Sequence, residues 1–263
     1  MITFHARPVG RREALRCISS RLAALVAAPV LMRAPQCAAA EPVEELGRLE
    51  TRHSPATEPT KPGTYPLGLR RDRDGVLYLP PQYTHGTPIP LVLLLHGAGG
   101  TGARVAQRFR AYADELGIAF VAPDSTAVSW DRNDRLASDV EFIDRALAVA
   151  FRRISTTPDR LRIGGFSDGA SYSLSVGLTN GDLFARILAL SPGFCGPALP
   201  RGKPRLYFTH GTRDEILPID ITSRKIVPLL QRAGYSVEYH EFDGQHEAPP
   251  EIARPAFQWL IGA

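Results

Sequence analysis

A mostly parallel central sheet with helices on both faces is the fold class this sequence predicts, and three observations carry that expectation. Short continuous apolar runs, such as 91–95 (Leu-Val-Leu-Leu-Leu) and 187–190 (Ile-Leu-Ala-Leu), have the length and composition of strands buried on both faces. Longer stretches with apolar residues at helical spacing alternate with them; Leu136, Val140, Ile143, Leu147 and Ala150 form one such stripe. Most of the apolar runs end in polar loops rich in Gly, Pro, His or Asp. Alternation of this kind points to strand–helix–strand crossovers and hence to parallel pairing.

In order, strands are expected at 76–79, 91–95, 118–122, 160–165, 187–190, 206–209 and 237–242, and helices at 102–116, 136–154, 168–179, 219–233 and 249–261. Pro80-Pro81 stops the first strand and Pro123-Asp124 the third. The chain has 263 residues and is 44% hydrophobic, enough for one large domain, 75–263. Two segments precede it. Residues 1–40 combine Arg7, Arg11, Arg12, Arg16 and Arg21, an apolar run over 22–32, and Ala38-Ala39-Ala40, which is the make-up of a secretory signal peptide. Residues 41–74, rich in Pro, Glu, Thr and Arg, are expected to form an extended linker.

The leader accounts for the chain's basicity. The whole chain carries +4; the leader holds six Arg and one Glu, so the remainder carries −1, and nothing supports nucleic-acid binding. The apolar run is too short for stable membrane insertion, which takes about 20 residues. Of the three cysteines only Cys195 lies outside the leader, which excludes an intramolecular disulfide in the mature chain. A secreted or periplasmic location follows from the leader; the oligomeric state is not legible.

The most informative stretch is 161–170, where an apolar run ends in Gly165-Phe166-Ser167-Asp168-Gly169 and a run of small residues follows. Strand, Gly-x-Ser-x-Gly, helix is the context of a nucleophile elbow. The turn is so tight that a Cβ at Gly165 or Gly169 is expected to collide with a neighbouring element, and the serine backbone is strained. The hydroxyl of Ser167 then stands clear of the sheet, and the amide of Asp168 is free to face a developing oxyanion.

Loops at the carboxyl ends of strands carry function in such sheets. Those loops hold Ser167, Asp214 and His246, in the chain order Ser…Asp…His. A serine hydroxyl needs a base within hydrogen-bond reach, and His246 is that candidate; His96, His210 and His240 compete with it. His96 and His210, each before a glycine at a strand end, read as loop-ordering residues. Asp214 is the candidate that orients His246, with Glu215 the alternative. The amides of Asp168 and Ala98 are the candidate oxyanion hole, in a loop made tight by Gly97, Gly99 and Gly100. Trp130, Phe194 and Tyr172 are candidates to line a substrate pocket. No His/Cys/Asp cluster has metal-ligand spacing, and no cofactor is implied.

Through His96-Gly97-Ala98-Gly99-Gly100, Gly165-Phe166-Ser167-Asp168-Gly169 and His210-Gly211-Thr212-Arg213-Asp214, the chain from about Gly75 onward resembles the α/β-hydrolases, in particular the small phospholipase/carboxylesterase branch and the esterase/polyhydroxybutyrate-depolymerase relatives. Asp168 is a departure, since the carboxylesterase branch often has Gln after the serine. The resemblance implies a serine carboxylesterase acting on a small-molecule ester, with short or aromatic groups, through an acyl-enzyme. The alternatives are a polyester depolymerase or feruloyl-type esterase and, from another class, a catalytically silent binding protein on the same scaffold. No insertion is large enough for a lid domain.

Overall fold

The computed structural model describes residues 46–131 and 138–262. The proposed leader lies outside them. Among the described residues eight strands form one sheet: β1 (Gly63–Pro66), β2 (Gly75–Leu79), β3 (Leu91–Leu95), β4 (Ala119–Pro123), β5 (Leu161–Phe166), β6 (Arg186–Leu190), β7 (Arg205–Gly211) and β8 (Val237–Phe242). Their spatial order is β1-β2-β4-β3-β5-β6-β7-β8. β1 pairs antiparallel with β2, and β2 with β4; every other pair is parallel.

The helices are α1 (Gly102–Leu116), α2 (Ser138–Arg153), α3 (Asp168–Thr179), α4 (Ser223–Arg232) and α5 (Pro250–Ile261). They divide between the two faces of the sheet. Phe109 and Ala113 of α1 and Phe257 and Leu260 of α5 pack on Val92, Leu94, Phe120 and Leu188. Ile143 and Leu147 of α2, Leu174 and Leu178 of α3 and Val227 of α4 pack on Leu91, Leu93, Ile163 and Ile187. Alternate residues of β3 therefore serve opposite cores, which is why its sequence is an unbroken apolar run. Each leucine buried there contributes about 1.5–3 kcal/mol. α1 starts where Thr101 Oγ1 accepts the Arg104 amide and ends at Gly117, in the left-handed region at φ 68°.

Residues 46–74 are not the free linker that their composition suggests. They belong to the same compact unit as the rest of the domain (Glu41–Ala263). β1 lies within them, Leu49 and Leu67 are buried in the core, the Leu49 amide donates to Asn180 Oδ1, and the amides of Thr57 and Glu58 donate to the Arg152 carbonyl. Single apolar anchors and hydrogen bonds to α2 and α3 hold the segment, so it has no periodic stripe to read. The expected helix at 219–233 is a 3-10 turn (Ile219–Ile221) followed by α4. β7 continues past its predicted end, taking His210 and Gly211 into the sheet. No helix among the described residues is long and apolar enough to cross a membrane, and no lid domain stands among them.

Candidate active site

The carboxyl ends of β3, β5, β6, β7 and β8 lie side by side along the parallel part of the sheet, so the loops that follow them share one edge. Ser167 sits between β5 and α3 with φ 60° and ψ −121°, a combination that residues with a side chain rarely adopt. Two glycines make the turn possible. A Cβ on Gly165 would come within 2.6 Å of the Gly169 and Leu95 carbonyls, and one on Gly169 within 2.3 Å of the Leu95 oxygen. The backbone of the loop after β3 also comes near, since a Cβ on Gly97 would lie 3.3 Å from the Ser167 Cβ.

His246 Nε2 lies 2.8 Å from Ser167 Oγ, and its Nδ1 lies 2.6 Å from Asp214 Oδ2. A carboxylate at Nδ1 fixes the proton there, which leaves Nε2 as the acceptor for the serine hydroxyl. The imidazole also packs against Phe166, with the rings tilted by 40° and 4.9 Å between centroids. Asp214 is buried and fully engaged: Oδ1 accepts the amides of Ile216 (3.0 Å) and Leu217 (2.7 Å), and Oδ2 lies 3.1 Å from His210 Nε2. Glu215 is exposed, and the carboxylate on His246 Nδ1 is that of Asp214. His240 is exposed on β8, bonded to Glu238.

His96 and His210 order loops, as their positions suggest. His96 donates from Nδ1 to the Gly97 carbonyl (2.8 Å) and accepts the Ser125 amide at Nε2 (2.9 Å), which defines a neutral ring. His210 is fully buried; Nδ1 accepts from Ser223 Oγ (2.7 Å) and Nε2 donates to the Leu217 carbonyl (2.8 Å) beside Asp214. Gly211 next to it lets the loop carrying His246 cross, because a Cβ there would be 2.2 Å from the Gln245 oxygen. Burial holds both imidazoles below the ordinary histidine pKa, against the pull of their carbonyl partners. A group whose folded pKa is depressed contributes stability above its unfolded pKa and loses it as pH falls. The melting temperature is therefore expected to be flat above about pH 7 and to drop as pH is lowered from about 6.5 toward 5. Thermal melts across that range check this; an unchanged or rising Tm contradicts it.

Among the described residues, no turn or cap hydrogen bond uses the amide of Ala98 or of Asp168, the two proposed oxyanion donors. The carboxylate of Asp168 faces away from them: Oδ2 accepts Ser129 Oγ (2.6 Å) and the Trp130 amide (3.1 Å). That same loop gives its Val128 carbonyl to the Gly99 amide (2.7 Å), so Asp168 steadies the Ala98 loop from behind. Asp139, not singled out from the sequence, closes the loop by accepting the amides of Thr126 and Asp131.

Two of the three pocket aromatics are corrected. Trp130 is 2% exposed, stacked on Tyr172 at 5.2 Å with its indole N–H on the His96 carbonyl (2.8 Å). Tyr172 is wholly buried, as is almost every other side chain of α3. Both pack behind the site instead of lining it. Phe194 remains half-buried near the site, and its segment is held by a ladder the sequence did not reveal. The hydroxyls of Ser171, Ser175 and Thr179, one turn apart on α3, accept the amides of Gly193, Gly196 and Ala198 while donating to the carbonyls one turn back. Two concavities flank the serine–histidine pair. One, of about 310 Å³, is lined by His246, Arg213, Glu215, Ile216, Gln245 and Glu247. The other, of about 180 Å³, lies against Gly97, Ala98, Arg104, Arg108 and Phe166.

The Esterase family model, described as "Putative esterase", matches residues 68–205, a span that holds Ser167 but ends before Asp214 and His246. Acyl-protein thioesterase 1 of Gibberella zeae is 26% identical over 200 residues, covering 61% of this chain and 84% of the relative. Among solved structures, esterase PE8 is 24% identical with a TM-score of 0.58, covering 71% of this chain and 96% of its own. The fluorophosphonate-binding serine hydrolase FphF of Staphylococcus aureus is 17% identical with a TM-score of 0.59, covering 72% and 92%. The chain has the α/β-hydrolase fold and belongs to the Esterase family.

Proposed function

We propose that this chain is a serine carboxylesterase that cleaves short-chain or aromatic esters through an acyl-enzyme. The observation that carries the reading is the unbroken hydrogen-bond series Ser167–His246–Asp214, set at a strained strand-to-helix turn. In this reading His246 Nε2 takes the hydroxyl proton as Ser167 Oγ attacks the ester carbonyl carbon. The negative charge that develops on the carbonyl oxygen falls to the amides of Ala98 and Asp168. The imidazolium, stabilised by Asp214, then protonates the leaving alcohol, and water repeats the sequence in reverse to free the acid. The inward-facing ligation of the Asp168 carboxylate supports the oxyanion role, because the charge is spent on Ser129 and Trp130 and not on the reacting centre.

Short groups are favoured because no lid domain shelters the site among the described residues. A buried CH₂ contributes about 0.8 kcal/mol only where water is excluded from it. With p-nitrophenyl esters of rising acyl length, kcat/KM is expected to climb over the first few carbons and then flatten or fall. A profile that climbs through long acyl chains contradicts the short-chain assignment. Failure to hydrolyse any ester of the series, methyl ferulate included, contradicts the esterase reading.

A further inference from the structure

The concavity beside the Ala98 loop contains two arginines that make no ion pair among the described residues. Arg104 and Arg108 stand one turn apart on α1, and both line it together with Gly97, Ala98, Thr101 and Phe166. Among the described residues, no carboxylate lies within 4 Å of either guanidinium. Other charges on the same helix are paired: Arg110 with Asp114 at 3.5 Å, Glu115 with Arg254 at 2.8 Å. Arg108 lies over the ring of Phe166, 4.4 Å from its centroid, next in sequence to Ser167. Partial burial lowers its pKa, and the charge of Glu247 partly opposes this. Two exposed guanidiniums one turn apart at the rim of a cleft can hold one anion between them.

The side of the substrate that would reach it follows from the proton's path. The leaving oxygen must take its proton from His246 Nε2, so the alcohol belongs in the 310 Å³ groove that His246 lines. The groove at Ala98 and Phe166 is then left for the acyl group.

We propose that Arg104 and Arg108 bind a carboxylate at the far end of the acyl chain, so that the preferred substrates are half-esters of dicarboxylic acids. The proposal rests on the serine-esterase reading and adds the acyl class to it. The two arginines act in binding, at a distance from the bond that breaks, and the charge is worth most where Phe166 excludes water.

The test compares p-nitrophenyl hydrogen adipate with p-nitrophenyl hexanoate, esters of equal acyl length that differ in the terminal carboxylate. The wild-type ratio of kcat/KM, adipate over hexanoate, is expected to exceed unity by about tenfold at low salt and to shrink as ionic strength rises. Arg104→Gln and Arg108→Gln are each expected to lower that ratio severalfold, mainly through KM, and the double variant to bring it to unity or below. The Phe166 ring contact belongs to Arg108, so the Arg104 variant keeps the test valid if removing Arg108 from that ring disturbs folding. A wild-type ratio of unity or less, or a ratio that neither variant moves, overturns the proposal while leaving the esterase reading intact. No turnover of either ester overturns the esterase reading itself.

Discussion

Ser167→Ala and His246→Ala are each expected to lower ester kcat by several orders of magnitude, on the order of 10⁶ by analogy with a protease triad, and the double variant by no more than either alone. The reason is that the two groups form one device. Without the hydroxyl there is nothing for the imidazole to deprotonate, and without the imidazole the hydroxyl is too weak a nucleophile. Their 2.8 Å contact is the physical basis for that non-additivity. Folding is expected to survive, because Ser167 Oγ is at the mouth of the site and makes no hydrogen bond that supports the core. Ser167→Gly separates the two effects further. It removes the Cβ from a backbone held at φ 60°, ψ −121°, which releases about 1–3 kcal/mol of strain. Against this stands the greater freedom of glycine in the unfolded chain, about 0.4–1 kcal/mol. A higher Tm in an inactive Ser167→Gly enzyme is the expected result. A Ser167→Ala protein that retains turnover contradicts the assignment.

Asp214→Asn is expected to cost on the order of 10⁴ in kcat, with Glu215→Gln mild. The asparagine has nearly the same shape, so the amides of Ile216 and Leu217 keep an acceptor in its side-chain oxygen. What changes is the partner of His246 Nδ1. An amide NH₂ turned toward Nδ1 forces the ring proton to Nε2, the nitrogen that must accept from Ser167. His210 aggravates the loss: its Nε2, 3.1 Å from Oδ2, is held as a donor by the Leu217 carbonyl and faces an NH₂ in the variant. Steady-state kinetics on one ester, with circular dichroism to establish folding, check this. A severe Glu215→Gln beside a mild Asp214→Asn would move the acid by one position.

Residues whose role is dictated by steric necessity were legible in the sequence. Gly165 and Gly169 mark the elbow because nothing larger fits between β5, α3 and the Leu95 carbonyl. The alternation of apolar runs and helical stripes foretold a parallel sheet with two cores, since buried strands must be apolar on both faces. Side-chain direction within loops was not legible. Trp130 follows Ser129 in a polar loop, and only the carboxylate of Asp168 and the carbonyl of His96 determine that its indole turns inward. Tyr172 sits on a helix buried on every side, where no polar face gives a clue to orientation. The segment before Gly75 hid its strand because β1 is short and half-exposed, an antiparallel edge of the sheet. The ladder of Ser171, Ser175 and Thr179 follows helical spacing, yet small hydroxyl residues at that spacing carry no hydropathy signal, and their partners lie in another segment.

The central claim, that Ser167 is a nucleophile activated by its surroundings, is tested most directly by covalent labelling. The folded protein is treated with a fluorophosphonate, digested, and mapped by tandem mass spectrometry. The account predicts one adduct, on Ser167, that is lost when the protein is denatured before treatment. Absence of any adduct on the folded protein, or an adduct on another serine with Ser167 unmodified, would contradict it.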